Sequence, residues 1–265
     1  MKPIVSFDMD MTLLNHDTFA IPESALKALD MLREHYIVVL ATGRDMDSHF
    51  SAKLRDQVKP DAIIHANGAK VTVGDKIIYE AFMSKELKRQ LLEFAQENSL
   101  AVGVTIGDED YYVHPECVTK HDQERWGECG RRYFDPWKLM DMKVPSMCYI
   151  GKPEGAALIG KAFPELRLPL FAGQQGADII EEKNSKANGL KLLCKYYGTS
   201  IEEAYAFGDS MNDYEIIKAA GTGIAMGNAN PKLKEVADYV APDINDDGIY
   251  KACVELGLIK GSSIL

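Results

Sequence analysis

Short apolar runs that stop at polar residues recur at both ends of this chain, and few folds accept them. Ile4-Val5-Ser6-Phe7 stops at Asp8, Tyr36 to Ala41 at Thr42-Gly43-Arg44, and Ala62-Ile63-Ile64-His65 shortly before Asn67-Gly68. Pro22 suits a first helical turn, and Ala25, Leu26, Ala28, Leu29 and Leu32 make one apolar face through about Glu34. The rhythm is βαβαβ. It returns later as Ala204-Tyr205-Ala206-Phe207 before Gly208-Asp209, a helix through Ile216 and Ile217, a strand at Gly223-Ile224-Ala225-Met226 and another at Asp238 to Ala241. Strands that are apolar throughout need cover on both faces. The alternation therefore predicts an α/β fold with a doubly wound, Rossmann-like parallel sheet, which binds ligands beyond the carboxyl ends of its strands.

The stretch between the two α/β runs has a different character. It begins with a hairpin from Lys70 to Glu80 turned at Gly74-Asp75, followed by a helix from Ser84 to about Asn98. Strand-like alternation follows at Ala101 to Ile106 and Tyr111 to His114, a helix start at His114-Pro115-Glu116, and further strands at Ser146 to Ile150, Leu168 to Ala172 and Asp178 to Glu181. From Asn67 to Lys186 the chain is far too long for one crossover connection. The expected organisation is a core of residues 1–81 and 183–265 with an α+β domain inserted at 82–182.

A formal net charge of -10 disfavours nucleic acid, and repels phosphorylated ligands unless a site carries its own positive charge. Five widely spaced cysteines without a CxxC pair fit reduced thiols, and no apolar run approaches the roughly 18 residues of a membrane span. With no signal-peptide pattern at the N-terminus, a cytoplasmic location is expected. Nothing in the sequence speaks to oligomeric state.

Asp8 and Asp10 are separated by one residue, so if strand geometry persists both side chains leave one face. One carboxylate could then attack phosphorus and bind a metal. The second, kept partly protonated by its neighbour's charge, could serve as acid and base. The same pair also fits strand-end caps or solvated turn residues. Other segments converge on one edge: Thr42-Gly43 offers a hydroxyl and a backbone amide, Lys186 opens a helix through Leu190, Leu192 and Leu193, and Gly208-Asp209-Ser210-Met211-Asn212-Asp213 brings hard oxygen donors suited to Mg²⁺. Each has a structural alternative, with Ser210 a helix cap, Lys186 a solvated charge and Asp213 a partner of a helix dipole.

Taken together and in order, Asp8-Met9-Asp10-Met11-Thr12, Thr42-Gly43-Arg44, Lys186 and Gly208 to Asp213 resemble the four motifs of the haloacid dehalogenase superfamily, and within it the Cof-type phosphatases with a large cap between the second and third motifs. Asn67-Gly68-Ala69 and Gly223 to Ala229 extend the resemblance, which covers essentially the whole chain. The resemblance implies Asp8 as nucleophile, Asp10 as general acid and base with its carbonyl toward Mg²⁺, Asp209 as a direct metal ligand, and Asp213 as a further ligand or as the group that orients the metal's water. It implies Thr42, Gly43 and Lys186 around the phosphoryl group, and Asn212 either bracing Lys186 or contacting phosphate. It also implies a small phosphorylated metabolite as substrate, most naturally a sugar phosphate, selected by the cap. Phosphomutase or phosphotransferase chemistry, a phospho-accepting signalling module and a phosphosugar sensor are the rival readings. Met11 and Ala187 stand where the family usually has glycine.

Two patterns in the insert are weighed on their residues alone. His114, Cys117, His121 and Cys129 lack the tight paired spacing of structural zinc sites, so a helix start with small apolar cysteines is expected instead. Trp126, Tyr133, Phe134 and Trp137 could face a sugar ring, but core packing is expected for at least two of them.

Overall fold

The computed structural model describes residues 1–127, 130–171 and 173–261. In chain order these form β1 (Ile4–Phe7), α1 (Glu23–Leu32), β2 (Ile37–Ala41), α2 (His49–Val58), β3 (Ala62–His65), β4 (Lys70–Val73), β5 (Lys76–Glu80), α3 (Lys85–Glu97), β6 (Ala101–Ile106), β7 (Glu109–Tyr112), α4 (Pro115–Trp126), β8 (Met147–Ile150), α5 (Pro153–Ala162), β9 (Leu166–Arg167), β10 (Gly176–Glu181), α6 (Lys186–Tyr197), β11 (Tyr205–Gly208), α7 (Tyr214–Ala219), β12 (Thr222–Ala225), α8 (Pro231–Lys234), β13 (Tyr239–Val240) and α9 (Gly248–Glu255). The larger sheet runs β13-β12-β11-β1-β2-β3-β4-β5, parallel from β13 to β3 and antiparallel at the β4–β5 hairpin. The chain builds this sheet outward from β1 in one direction and from β11 in the other, so the strand order switches between them. A crevice at a switch point is where open α/β sheets bind ligands.

The apolar runs behave as expected of a sheet buried on both faces: Ile4, Val5 and Phe7 are fully buried, as are Val38, Val39 and Leu40. The rings of Phe7 and Phe207 stack across the β1–β11 pair with centroids 4.7 Å apart. On α1, Ala25, Ala28, Leu29 and Leu32 carry the buried face at the helical spacing read from the sequence.

The second sheet is antiparallel, ordered β7-β6-β8-β10-β9. It has its own apolar cluster, from Met83, Leu87 and Leu91 to Ala177 and Ile179, which shares no residue with the cluster of the large sheet. Ser84 caps α3 by accepting a hydrogen bond from the Leu87 amide at 3.1 Å. The mixed α/β core with an inserted antiparallel cap is therefore as expected, and the Lys70–Glu80 hairpin extends the core sheet.

Several local expectations are corrected. The return strand of the first cap hairpin lies at Glu109–Tyr112, two residues earlier than the alternation suggests, because His114 takes a left-handed conformation and precedes α4. The strand expected at 168–172 is instead a two-residue pairing at Leu166–Arg167 and a single bridge at Leu170, with Ala172 outside the described residues. Helices α5 and α9 were not expected from the apolar pattern.

One glycine sets the join between the two halves of the core. Gly68 has φ +94, and a Cβ there would lie 2.1 Å from the Ser185 carbonyl oxygen. The turn after β3 thus lies directly against the start of α6. Gly68→Ala combines a left-handed backbone with a backbone clash, so it should cost about 3 kcal/mol. Urea denaturation checks this, and a midpoint equal to wild type would refute the close approach.

Candidate active site

Three strand ends and one helix start deliver the predicted residues to a single point. Asp8 follows β1, its amide donating to the Phe207 carbonyl at 3.0 Å, and Asp209 follows β11. Lys186 is the first residue of α6, whose cap Ser185 accepts a hydrogen bond from the Asn188 amide. Its side chain is fully buried, and Nζ donates to Asp8 Oδ1 at 2.6 Å and to Asp213 Oδ1 at 2.7 Å. The other oxygen of Asp213 accepts from the backbone amides of Asp209 and Ser210 at 3.1 and 3.2 Å, which fixes the carboxylate.

Asp8, Asp209 and Asp213 form a buried set in which one ligand atom from each lies within 4.8 Å of the others. Three carboxylates against one ammonium leave two formal negative charges uncompensated. The electrostatics follow from that imbalance. Burial, reinforced by repulsion from Asp213 and Asp10, pushes Asp8 up to about 7 despite the neighbouring ammonium. Asp209 is raised well above the carboxylate range by burial and by Asp8 and Asp213. Lys186 is raised above the ordinary lysine value, because attraction to Asp213 and Asp8 outweighs its burial. Hard oxygens around excess negative charge suit a small divalent cation.

Asp10 departs from expectation. The sequence suggests that the second carboxylate is the one kept partly protonated, yet here it is paired with Arg44 and His16. Arg44 Nε donates to Asp10 Oδ2 at 2.7 Å and Nη2 to Oδ1 at 2.5 Å, while His16 Nε2 approaches Oδ1 at 2.7 Å. Burial alone would raise its proton affinity, but Arg44 and His16 together hold it well below the usual carboxylate range. Its carboxylate is outside the metal-ligand set, although the resemblance assigns that contact to the carbonyl. Arg44 closes the motif Thr42-Gly43-Arg44, but its pairing with Asp10, and that of His16, has no spacing by which sequence could find it.

Thr42 is buried at the end of β2, its Oγ1 accepting from the Arg44 amide at 3.1 Å and its carbonyl accepting from the Asn67 amide at 3.0 Å. Asn212 does not brace Lys186. Asp213 takes that place, and Asn212 Nδ2 donates to Asn67 Oδ1 at 3.0 Å while its own Oδ1 accepts from Ser210 Oγ.

Met11 has φ +60, the left-handed backbone that explains the family's glycine at this place. Its carbonyl accepts from Asn228 Nδ2 at 2.7 Å, and Asn228 Oδ1 accepts from the Ile244 amide, so the segment after the fourth motif ties down the loop after Asp10. Ala187 is buried in the first turn of α6.

A cavity of about 870 Å³ opens beside this cluster between the two sheets. Gly43, Arg44 and Ala66 line its core side, and Thr105, Arg131 and Asp178 are among the residues of its cap side. Tyr133, Phe134 and Trp137 do not line it: Phe134 packs on Tyr111 at 5.7 Å and Tyr133 joins a small apolar cluster. The Trp126 side chain and Cys129 lie outside the described residues. Among the described residues His114, Cys117 and His121 form no metal-holding group, and α4 starts at Pro115 as expected. No helix among the described residues is long and apolar enough to cross a membrane.

Comparison with known proteins agrees with this geometry. Residues 5–253 match the family of haloacid dehalogenase-like hydrolases. The protein named "Putative phosphatase YkrA" of Bacillus subtilis is 31% identical over 97% of this chain and 98% of its own. A solved sugar phosphatase of subclass IIB of the superfamily is 26% identical with a TM-score of 0.86, over 97% of this chain and 100% of the other. A solved phosphatase of the superfamily from Bacteroides thetaiotaomicron is 27% identical with a TM-score of 0.87, over 98% and 96% of the two chains. The chain belongs to the haloacid dehalogenase-like hydrolase family, and the resemblance to its Cof-type phosphatases is borne out.

Proposed function

We propose that the chain is a Mg²⁺-dependent phosphatase of small-metabolite phosphate monoesters, sugar phosphates foremost, working through an aspartyl phosphate on Asp8. The buried set of Asp8, Asp209 and Asp213 with the Lys186 ammonium carries this reading, since it joins a nucleophile, a cation and an uncompensated negative charge that Mg²⁺ would offset. When bound, Mg²⁺ neutralises charge on the phosphoryl oxygens. An Asp8 oxygen attacks phosphorus as the ester oxygen leaves. Asp10 gives the leaving oxygen a proton and later takes one from the water that cleaves the aspartyl phosphate. As held by Arg44 and His16, Asp10 is a poor proton donor, so this role requires that contact to loosen once substrate enters. Lys186, Thr42 and the Gly43 amide hold the phosphoryl oxygens, and Asn212 braces the neighbouring Asn67 side chain.

Residues 1–81 and 183–265 carry the chemistry in this reading, and 82–182 select the leaving group. The cavity volume lies in the range of small-molecule sites. Asp45, Asp108, Asp110, Asp122 and Asp178 line it against Arg44, Arg131 and Lys143, a balance that favours a neutral leaving group over one with a second phosphate. The sugar phosphatase among the solved relatives supports the same class. The odd, widely spaced cysteine set without a CxxC pair supports a cytoplasmic setting.

Phosphate release across sugar phosphates, nucleotides, pyridoxal phosphate and flavin mononucleotide is the test. Release should be abolished by EDTA and restored by Mg²⁺, and BeF₃⁻ with Mg²⁺ should raise the melting temperature. No release from any monoester would sink the proposal, and isomer formation without phosphate would move the chain to the phosphomutases.

A further inference from the structure

Beside the phosphoryl site, against Gly43 of the cavity's core side, a buried donor and a cap carboxylate lie together without a hydrogen bond of full geometry. Asn67 is 1% exposed, and its Nδ2 makes no hydrogen bond of normal geometry. Its Oδ1 is taken by Asn212, its backbone lies in the left-handed region at φ 53, and its amide nitrogen lies against Gly43. The point where a Cβ on Gly43 would stand lies 3.2 Å from Asn67 Nδ2 and 3.5 Å from Asp178 Oδ2. Asp178 comes from β10 of the cap sheet and lines the cavity, and the amides of Asn67 and Asn212 with the Lys186 charge steady its carboxylate against burial.

We propose that Asn67 and Asp178 together read a hydroxyl of the substrate's leaving group close to the phosphoester. The Asn67 amide donates to the hydroxyl oxygen, and the hydroxyl donates to an Asp178 carboxylate oxygen. This rests on the phosphatase reading and deepens it. Gly43 follows Thr42, so a group held against it sits next to the phosphoryl oxygens. A hydroxyl is both donor and acceptor, and so satisfies both partners. A carboxylate or second phosphate would be repelled by Asp178, and an ammonium would leave the Asn67 donor unpaired. Because Asn67 belongs to the core and Asp178 to the cap, the same hydroxyl would bridge the two.

The alternative is a latch, in which Asp178 and Asn67 only hold the cap against the core. The two are separated by comparing glycerol 3-phosphate with n-propyl phosphate, which differ in hydroxyls alone. The wild-type protein should favour the hydroxylated ester in kcat/KM by about tenfold or more, since a site built to bond a hydroxyl rejects the analogue lacking it. Asp178→Asn and Asn67→Gly should each bring that ratio toward one, and the double variant should fall no further, because both act on one hydroxyl. Glycine keeps the left-handed backbone at position 67. Asp178→Ser serves if the asparagine variant fails to fold. Equal losses on both esters, or no wild-type preference, overturn this inference alone. Release from no monoester at all overturns the phosphatase reading and this inference with it.

Discussion

Asp8→Asn should lower kcat by about four orders of magnitude or more while the protein stays folded, because an amide oxygen cannot form the acyl phosphate. Phosphate release with Mg²⁺ present measures this, and retained turnover would remove Asp8 from the nucleophile's role. The same variant should also change how metal-free stability depends on pH. Asp8 titrates near 7 in the folded chain against an ordinary 3.8. The folded state therefore binds the proton more tightly than the unfolded chain. Between about pH 4 and 7 the native form holds more protons, so metal-free stability falls as pH rises through that window. Asparagine has no such titration. Melting temperatures in EDTA at pH 5 and pH 8 should differ less for Asp8→Asn than for wild type, and equal differences would contradict the buried-charge account.

Lys186→Met should be the most destabilising single change at the site. The side chain is fully buried between Asp8 and Asp213, and its loss leaves three carboxylates without a cation. Removing one partner of a buried ionic group costs about 3 to 5 kcal/mol. The lysine's folded value is raised above the ordinary 10.5, so its stabilisation is fully present below that value and is lost only as pH rises through the folded one. The variant should therefore be weakened throughout the neutral range. Mg²⁺ should recover part of the loss by supplying positive charge to the same carboxylates, while turnover stays low because the phosphoryl oxygens lack their ammonium. Urea denaturation with and without Mg²⁺ gives the answer, and a variant as stable as wild type in EDTA would mean that Lys186 does not hold the cluster together.

The core was legible because its physics is local. Ile4 to Phe7 and Ala204 to Phe207 are apolar but for the buried Ser6 because both faces of their strands are covered, and the polar residues that follow them lie on the ligand edge. Asp8, Thr42, Lys186, Asp209 and Asp213 each stand beside such a boundary. The cap was less legible, since its strands are short and their ends are set by turns. His114 at φ 53 and the two-residue strand β9 show how little periodicity such segments leave. The state of Asp10 could not be read at all, because Arg44 and His16 reach it through the packing of separate loops. Asp178 read only as the start of a strand, and its place over Gly43 depends on how the two sheets face each other.

The separation of the two apolar clusters has an evolutionary side. Because the cap cluster shares no residue with the core cluster, substitutions that repack the cap leave the side chains behind Asp8, Lys186 and Asp209 untouched. On the proposed division of labour, drift in the cap explores new leaving groups while the reaction is inherited unchanged. A lineage built on this plan diversifies its metabolism by editing roughly the middle of the gene, and recombination that exchanges the segment between β5 and α6 would carry one enzyme's preference onto another's chemistry.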